Sequence, residues 1–367
     1  MIDSVFQFLW LALIPSVPIL LIIFRNTPLI WVVFGLGLFR AVWYYIEKAL
    51  GNISLDNLQR RAVFITGCDT GFGNLLAHKC LESGMPVYAG CLSEKGATAL
   101  TAASKNLPGH LETIVVDVSN EESVQKATAY LEKASGKYGG LHAVVNNAGI
   151  VGSTFFDDFL TTEDYKKVAE VNTWGIIRVT QALKHLVKKT RGRFVTVTSI
   201  CSRVGLFGFG PYNVSKFAAA GYLEVIRQEL RQFGVSVHIL EPGFFKTPIN
   251  NSQNVQARLD SMWKGVAKSV KEEYGEEFFK LSCEHATKGV EEVSDLRIEL
   301  VVEAYFNAIT SRFPKLRYFI GDDAHFFFVP MSYLPTGMRD SIFAFMRSFY
   351  GSPVPVKAIE KYSKKFQ

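Results

Sequence analysis

Between residues 62 and 240, six short apolar runs alternate with five longer helix-length segments, and this alternation constrains the fold more than any other feature of the chain. The runs are 62–66 (AVFIT), 86–90 (PVYAG), 111–116 (LETIVV), 141–145 (LHAVV), 193–198 (RFVTVT) and 235–240 (VSVHIL). Brevity, apolar character and β-branched content mark them as buried strands. Segments 74–83, 94–104, 121–138, 162–186 and 212–233 read as helices between them. Strand and helix in turn at this spacing require right-handed crossovers, which produce a parallel sheet covered on both faces. Ligands of such sheets bind beyond the C-terminal ends of the strands.

The polar residues of interest fall at those ends. The first run leads into TGCDTGFG, where Gly67, Gly71 and Gly73 let the chain turn sharply into a helix and bring backbone amides close to a pyrophosphate. Asp117 follows the third run, Asn146 to Gly149 (NNAG) the fourth, Ser199 the fifth, and Pro242 with Gly243 the sixth. Each residue alone also suits an ordinary turn. Five together at one rim point to a site. The expected fold is therefore α/β, a doubly wound parallel sheet of Rossmann type.

Tyr212 and Lys216 stand four apart at the start of the last helix, so their side chains share a face. A free phenol has a pKa near 10, and a neighbouring ammonium favours its ionised form. The pair thus offers a general acid or base near neutral pH. Taken alone, it fits two solvent-facing side chains on a surface helix better than a catalytic pair.

The 367 residues are 48% hydrophobic and 20% charged, enough for one large domain or two ordinary ones with a substantial core. Forty basic residues against 34 acidic ones give a charge of +6, but they are scattered, so nucleic acid is not an expected partner. The five cysteines lack CxxC pairs and histidines at ligand spacing, which points to free thiols and no metal. Residues 5–24 are twenty positions without a charge, the length that crosses a bilayer core. They are too long for a signal peptide and lack its basic leader and cleavage site, so they read as a retained transmembrane anchor. Residues 29–45 are apolar with Arg40 inside, open between a second span, a re-entrant piece and an interfacial helix.

The expected domains are a membrane anchor at 1–50, a Rossmann domain at 60–320 and an apolar C-terminal segment with a basic tail at 321–367. Residues 326–349 are apolar but broken by prolines and charges, fitting a monotopic lip or a helix packed on the domain or on a dimer partner.

TGCDTGFG, Asp117, NNAG, Asn172 in EVNTWG, Ser199 thirteen residues before Tyr212, Lys216 and PGFFKT occur in the order found in the short-chain dehydrogenase/reductase family. The resemblance covers roughly residues 60–250, and its several parts make it far more specific than a lone glycine motif. GCDTGFGNLLA, CLSEKGA and GDDAHFFFVPMSYLPT resemble the membrane-bound retinol and hydroxysteroid dehydrogenases. One departure is visible: SRVGLFGFGPYNVSK has one residue more before the tyrosine than retinol dehydrogenases lead one to expect.

The resemblance implies hydride transfer between a nicotinamide cofactor and a lipophilic alcohol. Tyr212 is then the general acid/base, Ser199 holds the substrate oxygen, and Lys216 lowers the Tyr212 pKa and bonds the cofactor ribose. Asn172 carries a water that links Lys216 to bulk; alone, it also fits an asparagine bonding a nearby carbonyl. Gly67, Gly71, Phe72 and Gly73 take the pyrophosphate, Asp117 the adenine edge, Asn146 and Gly149 the adenosine side, and Pro242, Gly243 and Thr247 the nicotinamide end. No Arg or Lys occurs in TGCDTGFG or CLS to receive a 2′-phosphate, which favours NAD over NADP.

Residues 244–300 should cover the cleft, with Phe207, Phe209, Phe244, Phe245, Met262 and Trp263 as apolar wall or plain core. Expected partners are a small lipophilic substrate, membrane lipid and a second copy of the chain. The expected location is the endoplasmic-reticulum membrane, with a mitochondrial membrane as the alternative. Competing readings are an NADP-dependent 3-ketoacyl reductase, a 3-hydroxybutyrate-type dehydrogenase, and a non-enzymatic membrane scaffold.

Overall fold

The computed structural model describes residues 28–247, 252–349 and 352–358, in two compact units, Met1–Ile53 and Ser54–Gln367. In the first unit the described part is a single helix, Pro28–Gly51. It exposes Trp31, Phe34, Leu38, Phe39, Val42 and Trp43. No helix among the described residues is long and apolar enough to cross a membrane. The charge-free stretch 5–24, the anticipated anchor, lies outside the described residues.

The second unit holds seven parallel strands: β1 (Val63–Thr66), β2 (Val87–Cys91), β3 (Leu111–Val115), β4 (Ala143–Asn146), β5 (Arg193–Val197), β6 (Ser236–Pro242) and β7 (Arg317–Ile320). Their order is β3-β2-β1-β4-β5-β6-β7. Period-two alternation divides the strand residues between two cores. Val63, Ile65, Val87 and Val145 pack on one face under helices Gly71–Glu82, Glu94–Ala103 and Glu299–Thr310. Phe64, Tyr88, Val144 and Phe194 pack on the other under Glu121–Ala134, Gly175–Thr190 and Gly210–Arg231. The doubly wound sheet is as expected.

Two features differ from the sequence reading. β7 was not anticipated; it has four residues, begins with an arginine and is only half-buried at alternate positions. The single helix expected at 162–186 is divided into Thr162–Ala169 and Gly175–Thr190 by a π-helical turn, Glu170–Trp174. Such turns shift the residues they carry out of the regular α register and often mark functional sites.

Residues beyond β6 form helices Ser252–Gly265, Lys268–Tyr274 and Glu276–Val293. They have their own core, in which Leu259, Phe278 and Cys283 pack against Phe155 and Phe159. Trp263 stacks on Phe279 with centroids 4.2 Å apart. Met262 and Trp263 therefore belong to the interior of this layer. Residues 324–349 form a π-helical turn, Ala324–Phe328, a short helix, Val329–Ser332, and a longer one, Thr336–Phe349, which exposes Met338, Phe345 and Phe349.

Candidate active site

A crevice opens where strand order reverses: β1 and β4 are neighbours, but the chain continues from β1 to β2 on one side and from β4 to β5 on the other. The glycine turn lines the β1 side. Gly67 and Gly71 have φ of 72° and 66°, a region unfavourable once a Cβ is present. A Cβ on Gly73 would overlap the Gly67 carbonyl and the Asn147 amide. Helix Gly71–Glu82 starts here with no acidic residue in its first turn, so its amides present the positive end of the helix dipole. Phe72 packs edge-on to Phe245, ring centroids 6.3 Å apart.

Asn147 ties this turn to the loop after β4. Its Nδ2 donates to the carbonyls of Thr66 and Gly67 at 2.9 and 3.0 Å, and its Oδ1 accepts from the buried Tyr305 hydroxyl at 3.1 Å. Its neighbour Asn146, the residue assigned to the adenosine side from sequence, has its side chain elsewhere. That amide is 2% exposed and donates to the hydroxyls of Thr180 and Thr196, within the layer between sheet and helix. Adjacent strand residues point to opposite sides, so the two asparagines cannot share a role.

Asp69 is a second residue the sequence reading left out. Its carboxylate accepts from Leu92 N at 2.7 Å, Ser93 N at 3.1 Å and Ser93 Oγ at 2.9 Å, which fixes an anion at the C-terminal end of β2. At the end of β3, Asp117 accepts from Ser119 N and Oγ at 2.9 and 2.7 Å and lines a polar depression with Asn120 and Lys126.

Asn172, on the π-helical turn and fully buried, accepts from Ile150 N at 2.8 Å and donates to Ile150 O and Ser215 Oγ at 2.7 and 3.0 Å. These bonds hold the loop after β4 against helix Gly210–Arg231. A Cβ on Gly149 would lie 3.1 Å from Asn172 Oδ1 and 3.7 Å from Lys216 Nζ, so Gly149 leaves the approach to both open. Lys216 is 3% exposed, donates to Val197 O at 3.2 Å, and sits with Nζ 5.4 Å from the Tyr212 ring centroid. Ser199, beyond β5, accepts from Cys201 N at 3.2 Å and donates to Pro242 O at 3.5 Å, and it is near enough to Tyr212 for its hydroxyl to lower the phenol's pKa. The structure thus brings Asn172, Ser199, Tyr212 and Lys216 into one cluster.

The electrostatics correct one expectation. Burial pushes the Tyr212 phenol up, the nearby Cys201 adds to this, and the Ser199 hydroxyl offsets only part of it. Lys216 lies over the ring face, and burial lowers its own pKa to about 8. In this site desolvation, not the ammonium, sets the direction of the phenol's shift.

Pro242 ends β6, and Gly243 N donates to Ile320 O at 2.9 Å. A Cβ on Gly243 would overlap the Asp323 carboxylate, which accepts from Phe244 N and Ala324 N at 2.8 Å each. Thr247 is half-buried on the following loop, next to residues 248–251, which lie outside the described residues. A cavity of about 260 Å³ is walled by Val151, Phe155, Phe156, Phe207, Phe209 and Phe244, with Arg258, His285 and Arg347 also on its lining; Phe209 directly precedes the helix that carries Tyr212.

The short chain dehydrogenase family model matches residues 61–258. Over 311 residues the chain is 38% identical to 17-beta-hydroxysteroid dehydrogenase type 6 of Rattus norvegicus, covering 85% of this chain and 95% of that one. It is 39% identical over 328 residues to retinol dehydrogenase 16 of Rattus norvegicus, covering 87% and 100%. Its fold matches a short chain dehydrogenase/reductase from Burkholderia phymatum solved in complex with NAD, with a TM-score of 0.59, 21% identity and coverage of 74% and 91%. With the glycine turn and the Tyr212 cluster on one sheet rim, these matches lead to one conclusion: the chain belongs to the short-chain dehydrogenase/reductase family, in its retinol and hydroxysteroid dehydrogenase branch, and is an NAD(P)-dependent alcohol dehydrogenase.

Proposed function

We propose that this chain oxidises a lipophilic primary or secondary alcohol, a retinol or a hydroxysteroid, with NAD as hydride acceptor, while attached to a membrane. The observation that carries the reading is the meeting of Ser199, Tyr212 and Lys216 at the same sheet rim as a glycine turn with no room for side chains at positions 67 and 73. That turn fits a dinucleotide: Cβ atoms at 67 and 73 would fill the cradle against Ala148 and Asn147. When bound, the nicotinamide ring accepts the hydride that leaves the carbinol carbon.

The chain's residues handle the proton. Tyr212, as phenolate, accepts the hydroxyl proton as the carbonyl forms, and returns it in the reverse direction. Ser199 donates a hydrogen bond to the substrate oxygen and holds it near the phenol. Lys216 bonds the cofactor ribose and, while charged, opposes the burial that raises the phenol. Asn172 locks the loop after β4 with its side chain, so a water in the proton path would meet it through the main chain of the π-helical turn.

NAD is favoured by Asp69, whose carboxylate at the end of β2 repels a 2′-phosphate. The substrate class follows from the aromatic cavity and from the retinol and hydroxysteroid dehydrogenase relatives. Membrane attachment rests on the charge-free residues 5–24, and the endoplasmic reticulum on the branch resemblance. A homodimer is supported by Trp174, Val214, Phe217 and Val225, exposed apolar side chains on two packed helical elements. The test is formation of NADH or NADPH from retinol, 3- and 17-hydroxysteroids and 3-hydroxybutyrate, each with NAD and with NADP. Oxidation of a retinol or steroid with NAD preferred supports the reading; turnover confined to 3-hydroxybutyrate, or to NADP, contradicts it.

A further inference from the structure

Ser199 caps a very short turn, the 3-10 helix Ile200–Ser202, through its side chain. Turns of this kind have poorer hydrogen-bond geometry than an α-helix, so their placement depends on what flanks them. Here the flanking group is Glu241, the last residue of β6 before Pro242, and its side chain is fully buried. Arg203 Nε donates to Glu241 Oε2 at 2.7 Å. Ser202 Oγ lies 3.1 Å from Glu241 Oε1 and 2.6 Å from Ser199 O, with one proton to share between them. Arg317, which opens β7, donates to Glu241 Oε1 and, through its other terminal nitrogen, to Glu224 on the helix that carries Tyr212. The Arg203 guanidinium carbon also lies 4.9 Å from the ring centroid of Phe319, again on β7.

One carboxylate thus gathers the turn after Ser199, the edge strand and, through Arg317, the tyrosine helix. Its neighbour Pro242 supplies the carbonyl that accepts from Ser199 Oγ at 3.5 Å, so a single strand end reaches the turn at both of its ends. A buried ion pair adds little net stability, because the cost of desolvating its charges offsets most of their attraction. What it adds is direction, since a charge-assisted hydrogen bond is short and weakens steeply when bent. The direction fixed here is that of the backbone immediately after Ser199. A Ser199 hydroxyl displaced by about 1 Å would miss the substrate oxygen, the kind of error that costs roughly a hundredfold in rate.

We propose that Glu241 is a positioning residue: bonded to Arg203 and Ser202, it sets where the Ser199 hydroxyl meets the substrate oxygen, and so acts on the chemical step without touching substrate or cofactor. Arg317 holds the carboxylate itself in place. The proposal rests on the role given to Ser199 above and extends it one layer inward.

Double-mutant cycles in the full-length enzyme test it, with the alcohol and dinucleotide that turn over best. Ser199→Ala should lower kcat by about a hundredfold or more, as loss of a donor to developing charge does. Glu241→Gln should lower kcat by about tenfold while the NADH dissociation constant stays within about twofold of the native value. In the Ser199→Ala background, Glu241→Gln should lower kcat no further, because a residue that acts through Ser199 has nothing left to place. Arg203→Gln and Ser202→Ala should follow the same pattern more mildly, and they carry the cycle if Glu241→Gln does not fold. An equal loss in both backgrounds marks a purely structural role and overturns the proposal. So does native kcat in all three variants, or a loss that lies in NADH binding instead of kcat. Native kcat in Ser199→Ala removes the role given to Ser199, and this proposal falls with it.

Discussion

At the scale of single residues, the chemistry rests on what burial does to two side chains. Lys216 is charged below about pH 8 in the folded chain, against 10.5 for an exposed lysine. Between those values the unfolded chain keeps a proton that the folded one has released, so stability rises with pH across that window. Dinucleotide binding that uses the ammonium should move the other way. Fluorescence titration should show the NADH dissociation constant rising roughly tenfold as pH passes 8, in keeping with loss of a charge-assisted hydrogen bond. Lys216→Met should bind weakly with no inflection there. Asp69→Ala should raise kcat/KM for NADP relative to NAD by about tenfold or more, as removal of a carboxylate facing a phosphate implies; an unchanged ratio would clear Asp69 of that role. Sequence spacing was enough to foresee that Tyr212 and Lys216 meet. It could not give the direction of the phenol's shift, because that depends on how much water the surrounding loops exclude.

At the scale of elements, the glycine turn and the loop after β4 act as one part, joined by the Asn147 bonds to Thr66 and Gly67. Gly73→Ala puts a methyl group into the Gly67 carbonyl, which is backbone and cannot swing aside. The change should cost roughly 1–3 kcal/mol of stability, seen as a lower Tm, and raise the KM for NAD tenfold or more. Gly136→Ala, where a Cβ meets nothing within 4 Å, is the control and should change neither. The six strands and their helices were legible because each is a short apolar run between turn residues. β7 was not, since RYFI offers only alternate buried positions after an arginine. Asn147 and the π-helical turn under Asn172 escaped notice for a related reason. One depends on which side of a strand end a residue faces, the other on an extra residue per turn, and neither leaves a signal in composition.

At the scale of the whole molecule, the exposed row Trp174, Val214, Phe217 and Val225 predicts self-association. In detergent, light scattering should give a dimer for the native chain and a monomer for Phe217→Glu, with Phe313→Glu, at an exposed ring far along the chain, leaving the dimer intact. The catalytic account itself is most directly tested by comparing NAD reduction by the native enzyme and by Tyr212→Phe with the best alcohol of the panel, after showing that both bind NADH equally. Loss of the hydroxyl should lower kcat by about a hundredfold to ten-thousandfold with dinucleotide binding retained. A Tyr212→Phe enzyme that reduces NAD at the native rate would contradict the account.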